Sequence, residues 1–284
     1  MTVSPEILRY SAFAATPDGG NPAGVVLDAA GLDEAGMLSV AAEVGYSETA
    51  FVVARSTVDG VAHVRVRYFS PGAEVPFCGH ATVATAVAIA EREGAGDVVF
   101  DTAAGPVALQ STTGAAGAIT VSFTSVEPEV RALDAAVRDR LLGLLGLAPS
   151  DLDPRFPVRE SFAGNRHPIV VVADRELFHQ FRFRPADVAA LMRDQGWRGT
   201  ATVLHARDAR TFDARNLFPV GRITEDPATG SAAAATGAYL RSIGHPERSI
   251  VIHQGAHVGR PSVLIVTIPA AGGIVVSGGA AAIE

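Results

Sequence analysis

The sequence has no lysine; all 23 of its basic residues are arginine. No Schiff-base lysine is available, which excludes pyridoxal chemistry of the usual kind, and there is no P-loop lysine either. Cysteine is nearly as scarce. A single residue, Cys78, leaves no internal disulfide and no mechanism that needs two thiols in one chain. No G-x-G-x-x-G follows a strand-like run, so a dinucleotide fold has no support. No apolar run reaches the ~18 residues of a membrane span. The opening MTVSPEILRY lacks the basic-then-apolar pattern of a signal peptide. Acidic residues outnumber basic ones 30 to 23 for a net charge of −7, and the arginines are scattered, so no nucleic-acid surface is expected. These absences lead to the expectation of a cytoplasmic protein without membrane or nucleic-acid partners. His253 and His257 are four apart, but SIVIHQGAHVGRPS reads as strand and turn rather than one helical face, so no metal site is expected.

What is present is an apolar chain of 284 residues, 48% hydrophobic, enough for one large domain or two of about 140. It is written twice. GNPAGVVLDA at 20–29 resembles GNRHPIVVVAD at 164–174, a Gly-Asn turn running into a β-branched strand. VGYSETAFVV at 44–53 lies on QGWRGTATVL at 195–204, placing Gly45 on Gly196 and Thr49 on Thr200, an offset of 151. EVPFCGHA at 74–81 lies on EDPATGSA at 225–232 at the same offset of 151. Three matches in one order indicate an internal duplication, with two copies of about 150 residues rather than a solenoid.

Alternation and β-branched enrichment predict strands at 7–13, 23–29, 48–55, 61–69, 97–111 and 118–124, with helices at 33–44 behind Asp33 and at 80–93. The second copy gives strands at 168–173, 200–206, 211–218, 249–253, 262–268 and 273–277 and helices at 185–195 and 231–243. An amphipathic segment at 132–146 is expected to open the second lobe, after a polar linker near 125–131. The segments ATVATAVAIA and SAAAATGAYL are apolar on every face, so both helices are expected to be buried all round. The class is α+β: two pseudo-symmetric lobes, 1–125 and 126–272, each a curved, mostly antiparallel sheet around a central helix.

Each buried helix opens on a small turn, Cys78-Gly79-His80 and Thr229-Gly230-Ser231. The first-turn N–H groups and the positive end of the helix suit an anion. For one tip an ordinary cap is an equal reading; two matched tips favour a carboxylate ligand shared by facing lobes. The duplication breaks at three places: Glu48 falls opposite Gly199, Asp226 opposite Val75, and Cys78-Gly79-His80 opposite Thr229-Gly230-Ser231. A carboxylate present on one side only is what proton transfer at carbon requires.

GNPAGVVLD, YSETAFVV, RYFSPGAEVPFCGHATVATA, EDPATGSAAAA and QGAHVGRPSVLIV together resemble the PhzF-like family of phenazine-biosynthesis isomerases, relatives by fold of diaminopimelate epimerase. The resemblance spreads over residues 20–266. It implies two similar lobes with the active site between them, no cofactor, a homodimer, and a C-terminal strand within 273–284 that returns to the first lobe. It implies Glu48 as the acid/base, with His80 and Asp226 as the supporting polar pair. Gly79, Gly230 and Ser231 become donors to a substrate carboxylate; Asn21, Asn165 and Cys78 line the site. The expected reaction is isomerisation of a small carboxylic acid, of the trans-2,3-dihydro-3-hydroxyanthranilate type. The alternatives are a racemase or epimerase and a non-catalytic scaffold that keeps the fold. The cysteine-pair racemase of the cousins is disfavoured, because 225–232 holds no cysteine.

Overall fold

The structure is a computed structural model describing residues 5–114, 117–221 and 223–283. Residues 1–4 and 284 of the expected lobes lie outside the described residues. The chain divides into two compact units, Met1–Thr124 with Ser277–Glu284, and Ser125–Val276.

The first unit runs β1 (Leu8–Ala12), β2 (Asn21–Val26), α1 (Glu34–Val44), β3 (Glu48–Val58), β4 (Val61–Phe69), β5 (Glu74–Val75), α2 (Gly79–Glu93), β6 (Asp97–Thr102), β7 (Gly105–Thr113) and β8 (Ile119–Thr124). The second runs β9 (Glu129–Ala132), α3 (Ala135–Leu145), β10 (Arg159–Phe162), β11 (Arg166–Val171), α4 (Arg175–Gln180), α5 (Pro185–Gln195), β12 (Ala201–Ala206), β13 (Thr211–Leu217), β14 (Glu225–Asp226), α6 (Gly230–Ser242), β15 (Ser249–Gln254) and β16 (Ser262–Thr267). The chain then forms β17 (Val275–Gly278) and β18 (Ala280–Ala282).

In the first unit the ladders are β1–β2 antiparallel, β2–β3 parallel, β3–β4 and β4–β5 antiparallel, β4–β6 parallel and β6–β7 antiparallel. The second unit repeats them one for one. β10–β11 is antiparallel, β11–β12 parallel, β12–β13 and β13–β14 antiparallel, β13–β15 parallel and β15–β16 antiparallel. β18 adds to β1 antiparallel, and Phe13 N–H donates to Gly279 O at 2.7 Å.

The central helices explain their composition. In α2 every residue from His80 to Ala90 is buried, and in α6 every residue from Ala232 to Leu240. Alanine presents no long side chain to hold the strands away. At Gly237 even a methyl group is too much, since a Cβ there would lie 2.7 Å from Ile274 and 2.8 Å from Val266. Satellite cores complete each unit: Met37 and Ala41 of α1 pack with Phe51 and Phe69, and Leu141, Leu145, Leu191 and Met192 pack with Trp197 and Val203. Asp33 caps α1 as expected, accepting from Gly36 N at 2.8 Å.

Some local expectations differ. The strand expected at 97–111 is a hairpin, turning through Ala103-Ala104 and entering β7 at Gly105 with φ +114°. The polar segment at 125–131 is not all linker, because β9 forms there and pairs with β10. β10, α4 and the two-residue strands β5 and β14 had no counterpart in the sequence pattern.

Candidate active site

The first unit gathers its chemistry where β3 begins and α2 begins. Cys78 is in extended conformation at the N-cap, and its own side chain does not cap the helix. The turn is fixed from below: Tyr68 Oη and Thr82 Oγ1 lie 2.6 Å apart, and the Thr82 hydroxyl donates to Cys78 O at 2.8 Å. Burial pushes the Tyr68 phenol well above its ordinary range, so it stays a neutral hydrogen-bonding group. At Gly79 a Cβ would meet nothing nearer than Phe77 at 3.9 Å, so the first turn is open on that side.

Glu48 is the first residue of β3 and pairs across the parallel ladder with Ala23. Its carboxylate Oε2 lies 3.4 Å from His80 Nε2, with side chains 22% and 9% exposed. Cys78 Sγ is 3.6 Å from the same oxygen, and Ser47 Oγ is 3.4 Å from His80 Nε2. Glu48, Cys78 and His80 therefore form one cluster, a half-buried carboxylate against a buried imidazole and thiol. Their ligand atoms lie within 4.8 Å of one another, which raises the question of a metal. The imidazole is turned the wrong way. The sulfur is 3.3 Å from Nδ1 and 3.7 Å from Nε2, so it sits beside the ring between the two nitrogens. A zinc ion on one nitrogen with a sulfur ligand would hold that sulfur about 5 Å from the other nitrogen. As arranged, the three groups face one another and do not converge on a cation. Asn21 is buried at the start of β2, two residues before the partner of Glu48, behind Gly20 with φ +75°.

The second unit holds Asp226 at the end of β14, opposite Asn216. The Thr229 hydroxyl donates to Asp226 Oδ2 at 2.5 Å. Gln254 of β15 clamps the same turn. Its Nε2 donates to Asp226 O at 2.6 Å and to Thr229 Oγ1 at 3.0 Å, and its Oε1 accepts from Thr229 N at 3.2 Å. The preceding residue, Glu225, forms a buried ion pair with Arg215 at 2.6 Å, and Arg215 Nη1 also donates to Phe178 O and Phe181 O. Ser231, in the first turn of α6 after the buried Gly230, lies 3.2 Å from Nε2 of His167. Asn165 belongs to the turn before β11, where Ala163 N donates to Asn165 O at 3.3 Å.

The broken symmetry now has a physical reason. Gly199 stands where the first copy has Glu48. A Cβ at 199 would lie 2.5 Å from His167 Cε1 and 2.8 Å from Arg166 O. The second copy fills that space with an imidazole instead of a carboxylate. Residue 80 of the first copy and residue 231 of the second, related by the same offset of 151, each meet that group. His167, Arg215 and Gln254 were not singled out from the sequence. A histidine inside the β-branched run RHPIVV was the available signal for His167.

Residues 10–284 match the family model for phenazine biosynthesis-like protein, PhzC-PhzF. The chain belongs to the PhzC-PhzF family. An isomerase of Deinococcus radiodurans, named as uncharacterized, is 34% identical over 97% of this chain and 92% of its own length. The trans-2,3-dihydro-3-hydroxyanthranilate isomerase of Pseudomonas chlororaphis is 31% identical over 89% of this chain and 86% of its own. Among solved structures, a PhzF-family phenazine biosynthesis protein of Bacillus anthracis superposes with TM-score 0.82 at 26% identity, covering 98% of both chains. The fold is α+β of the diaminopimelate epimerase type, shared with more distant racemases and epimerases. The PhzC-PhzF chain is an isomerase. Among the described residues, no helix is long and apolar enough to cross a membrane.

Proposed function

We propose that this isomerase moves a proton between two carbons of a small, unsaturated carboxylic acid, with Glu48 as the group that takes the proton and returns it. The observation that carries the reading is the Glu48 carboxylate held 3.4 Å from His80 Nε2 beside the first turn of α2. In the reaction Glu48 breaks a C–H bond next to the conjugated system. The electron pair spreads into the acid, the double bond shifts, and the same proton forms a C–H bond at another carbon. Atoms and charge balance without an oxidant, reductant or cofactor. Backbone amides at Gly79 and Gly230, with the Ser231 hydroxyl, hold the carboxylate and stabilise the charge that develops on it. His80 and Asp226 orient the substrate, and Asn21, Asn165 and Cys78 shape its surroundings. The compound named for the Pseudomonas chlororaphis relative, trans-2,3-dihydro-3-hydroxyanthranilate, is the first substrate to test. The same reading takes the protein as a cytoplasmic homodimer.

The second reading is a racemase or epimerase with Glu48 and Cys78, or Glu48 and Asp226, as opposed bases; a symmetric pair is disfavoured, because Gly199 stands at the position matched to Glu48 and the only cysteine is Cys78. In deuterium oxide, label at one stereocentre with an unchanged ultraviolet spectrum would indicate racemisation; a shifted spectrum, whether or not label enters, indicates double-bond migration. Glu48→Gln is expected to keep ligand binding and lose about 10²-fold or more in turnover. Substantial turnover by that variant would remove Glu48 from the role.

A further inference from the structure

The His167–Ser231 pair lies within the second unit and has no assigned role. His167 is fully buried, and burial pushes its pKa down to about 4, so the ring is neutral near pH 7 and carries one N–H. Its place is built for it. Gly199 leaves room where any side chain would strike the ring, and Thr200 surrounds Nδ1 with its backbone N, its carbonyl and its hydroxyl, each at 3.0 Å. These three contacts pull in opposite directions. The carbonyl and hydroxyl would accept a proton from Nδ1, whereas the backbone N–H needs a lone pair there. The hydroxyl spends its hydrogen on Asn216 Oδ1 at 2.8 Å, alongside Thr202 Oγ1 at 2.7 Å, so it offers Nδ1 only a lone pair and the backbone N–H is the one donor that faces this nitrogen. The Thr200 N–H has no other partner among the described residues, and a buried amide N–H left unpaired is the costlier defect. Nδ1 is then the acceptor and the single proton sits on Nε2, facing Ser231 Oγ at 3.2 Å.

We propose that His167 is a positioning residue for Ser231: its Nε2–H donates to the serine oxygen and thereby turns the serine hydroxyl hydrogen away from the protein, toward a substrate carboxylate. A serine whose hydrogen pointed at an acceptor on the protein would instead present lone pairs to the carboxylate and repel it. The neutral ring does this without adding a charge beside the anion. The proposal rests on the reading of Ser231 as a carboxylate donor, and it names the group that makes the serine a donor rather than an acceptor.

Two measurements test it. The first needs no ligand: long-range proton–nitrogen NMR of the histidine rings, with His167 assigned from the His167→Gln spectrum, should show the Nε2–H tautomer near pH 7. The Nδ1–H tautomer would overturn the proposal even if the isomerase reading holds. The second uses 3-hydroxyanthranilate, the stable aromatic counterpart of the compound named for the Pseudomonas chlororaphis relative. His167→Leu should weaken its binding about tenfold, the loss expected of one hydrogen bond to a charged group. His167→Gln, which can place an amide donor near Nε2, should stay within about threefold of the parent. Ser231→Ala should show the same loss as His167→Leu, and adding His167→Leu to it should change nothing further. Additive losses, or no rescue by glutamine, would reduce His167 to a packing residue. Failure of the parent protein itself to bind this probe counts against the substrate reading, while the tautomer still decides the role of His167.

Discussion

A single glycine decides which copy can carry the acid. Gly199 matches Glu48, and it is glycine because His167 and the Arg166 carbonyl leave no room for a Cβ. Gly199→Ala should therefore cost about 1–3 kcal/mol, the usual range for forced overpacking. Urea unfolding monitored by Trp197 fluorescence would measure it; a midpoint equal to the parent's would show that the ring moves aside freely. Glu48, His80, Asp226 and Ser231 are candidates from the sequence because each stands at a helix tip or at a break in the repeat. His167 could not. Its partner Thr200 lies 33 residues away, and their meeting depends on the parallel β11–β12 register. Read alone, a histidine in a β-branched run is one more residue of a buried strand.

The short elements were the least legible and matter most to the second copy's turn. β14 is only two residues, Glu225 and Asp226, too short for any alternation to register. It is held by side chains instead. Gln254 ties the Asp226–Thr229 turn to β15, and Arg215 anchors Glu225 while its guanidinium stacks over Phe181 at 3.8 Å. Arg215→Met should leave Glu225 buried without its partner and destabilise the protein by about 3–5 kcal/mol. Chemical denaturation at pH 7 tests this; a loss well under 1 kcal/mol would mean that water reaches Glu225. The large elements were legible because their signals are local. The all-apolar faces of α2 and α6 imply burial on every side, and the structure buries both. The two-residue Ala103-Ala104 loop between β6 and β7 carries no turn residue of its own, and the Gly105-Pro106 pair beside it was the signal that separates one strand from a hairpin.

For the whole molecule, the histidines set the response to acid. Burial lowers the pKa of His167, His179, His253 and His257. Each therefore takes up a proton more readily when the chain is unfolded. Their stabilising contribution is complete above the unfolded value of 6.5 and is lost as pH falls toward the folded value, which for His167 is about 4. By pH 5, His167 alone should account for about 2 kcal/mol of lost stability. Urea midpoints at pH 7.5 and pH 5 should differ accordingly, and the difference should shrink in His167→Gln. A parent whose midpoint is flat over this interval would contradict the burial of these rings.

β18 has a consequence for the order of events during synthesis. The edge of β1 is covered by residues translated some 150 positions after the rest of its unit, once Ser125–Val276 has been made. A nascent chain that has just released Thr124 exposes β1 to whatever is nearby, including the same strand of another nascent chain. The ribosome therefore hands over a first half that stays open to mispairing until the second half has been completed, which makes this seam the place where chaperone dependence and strand exchange are to be sought.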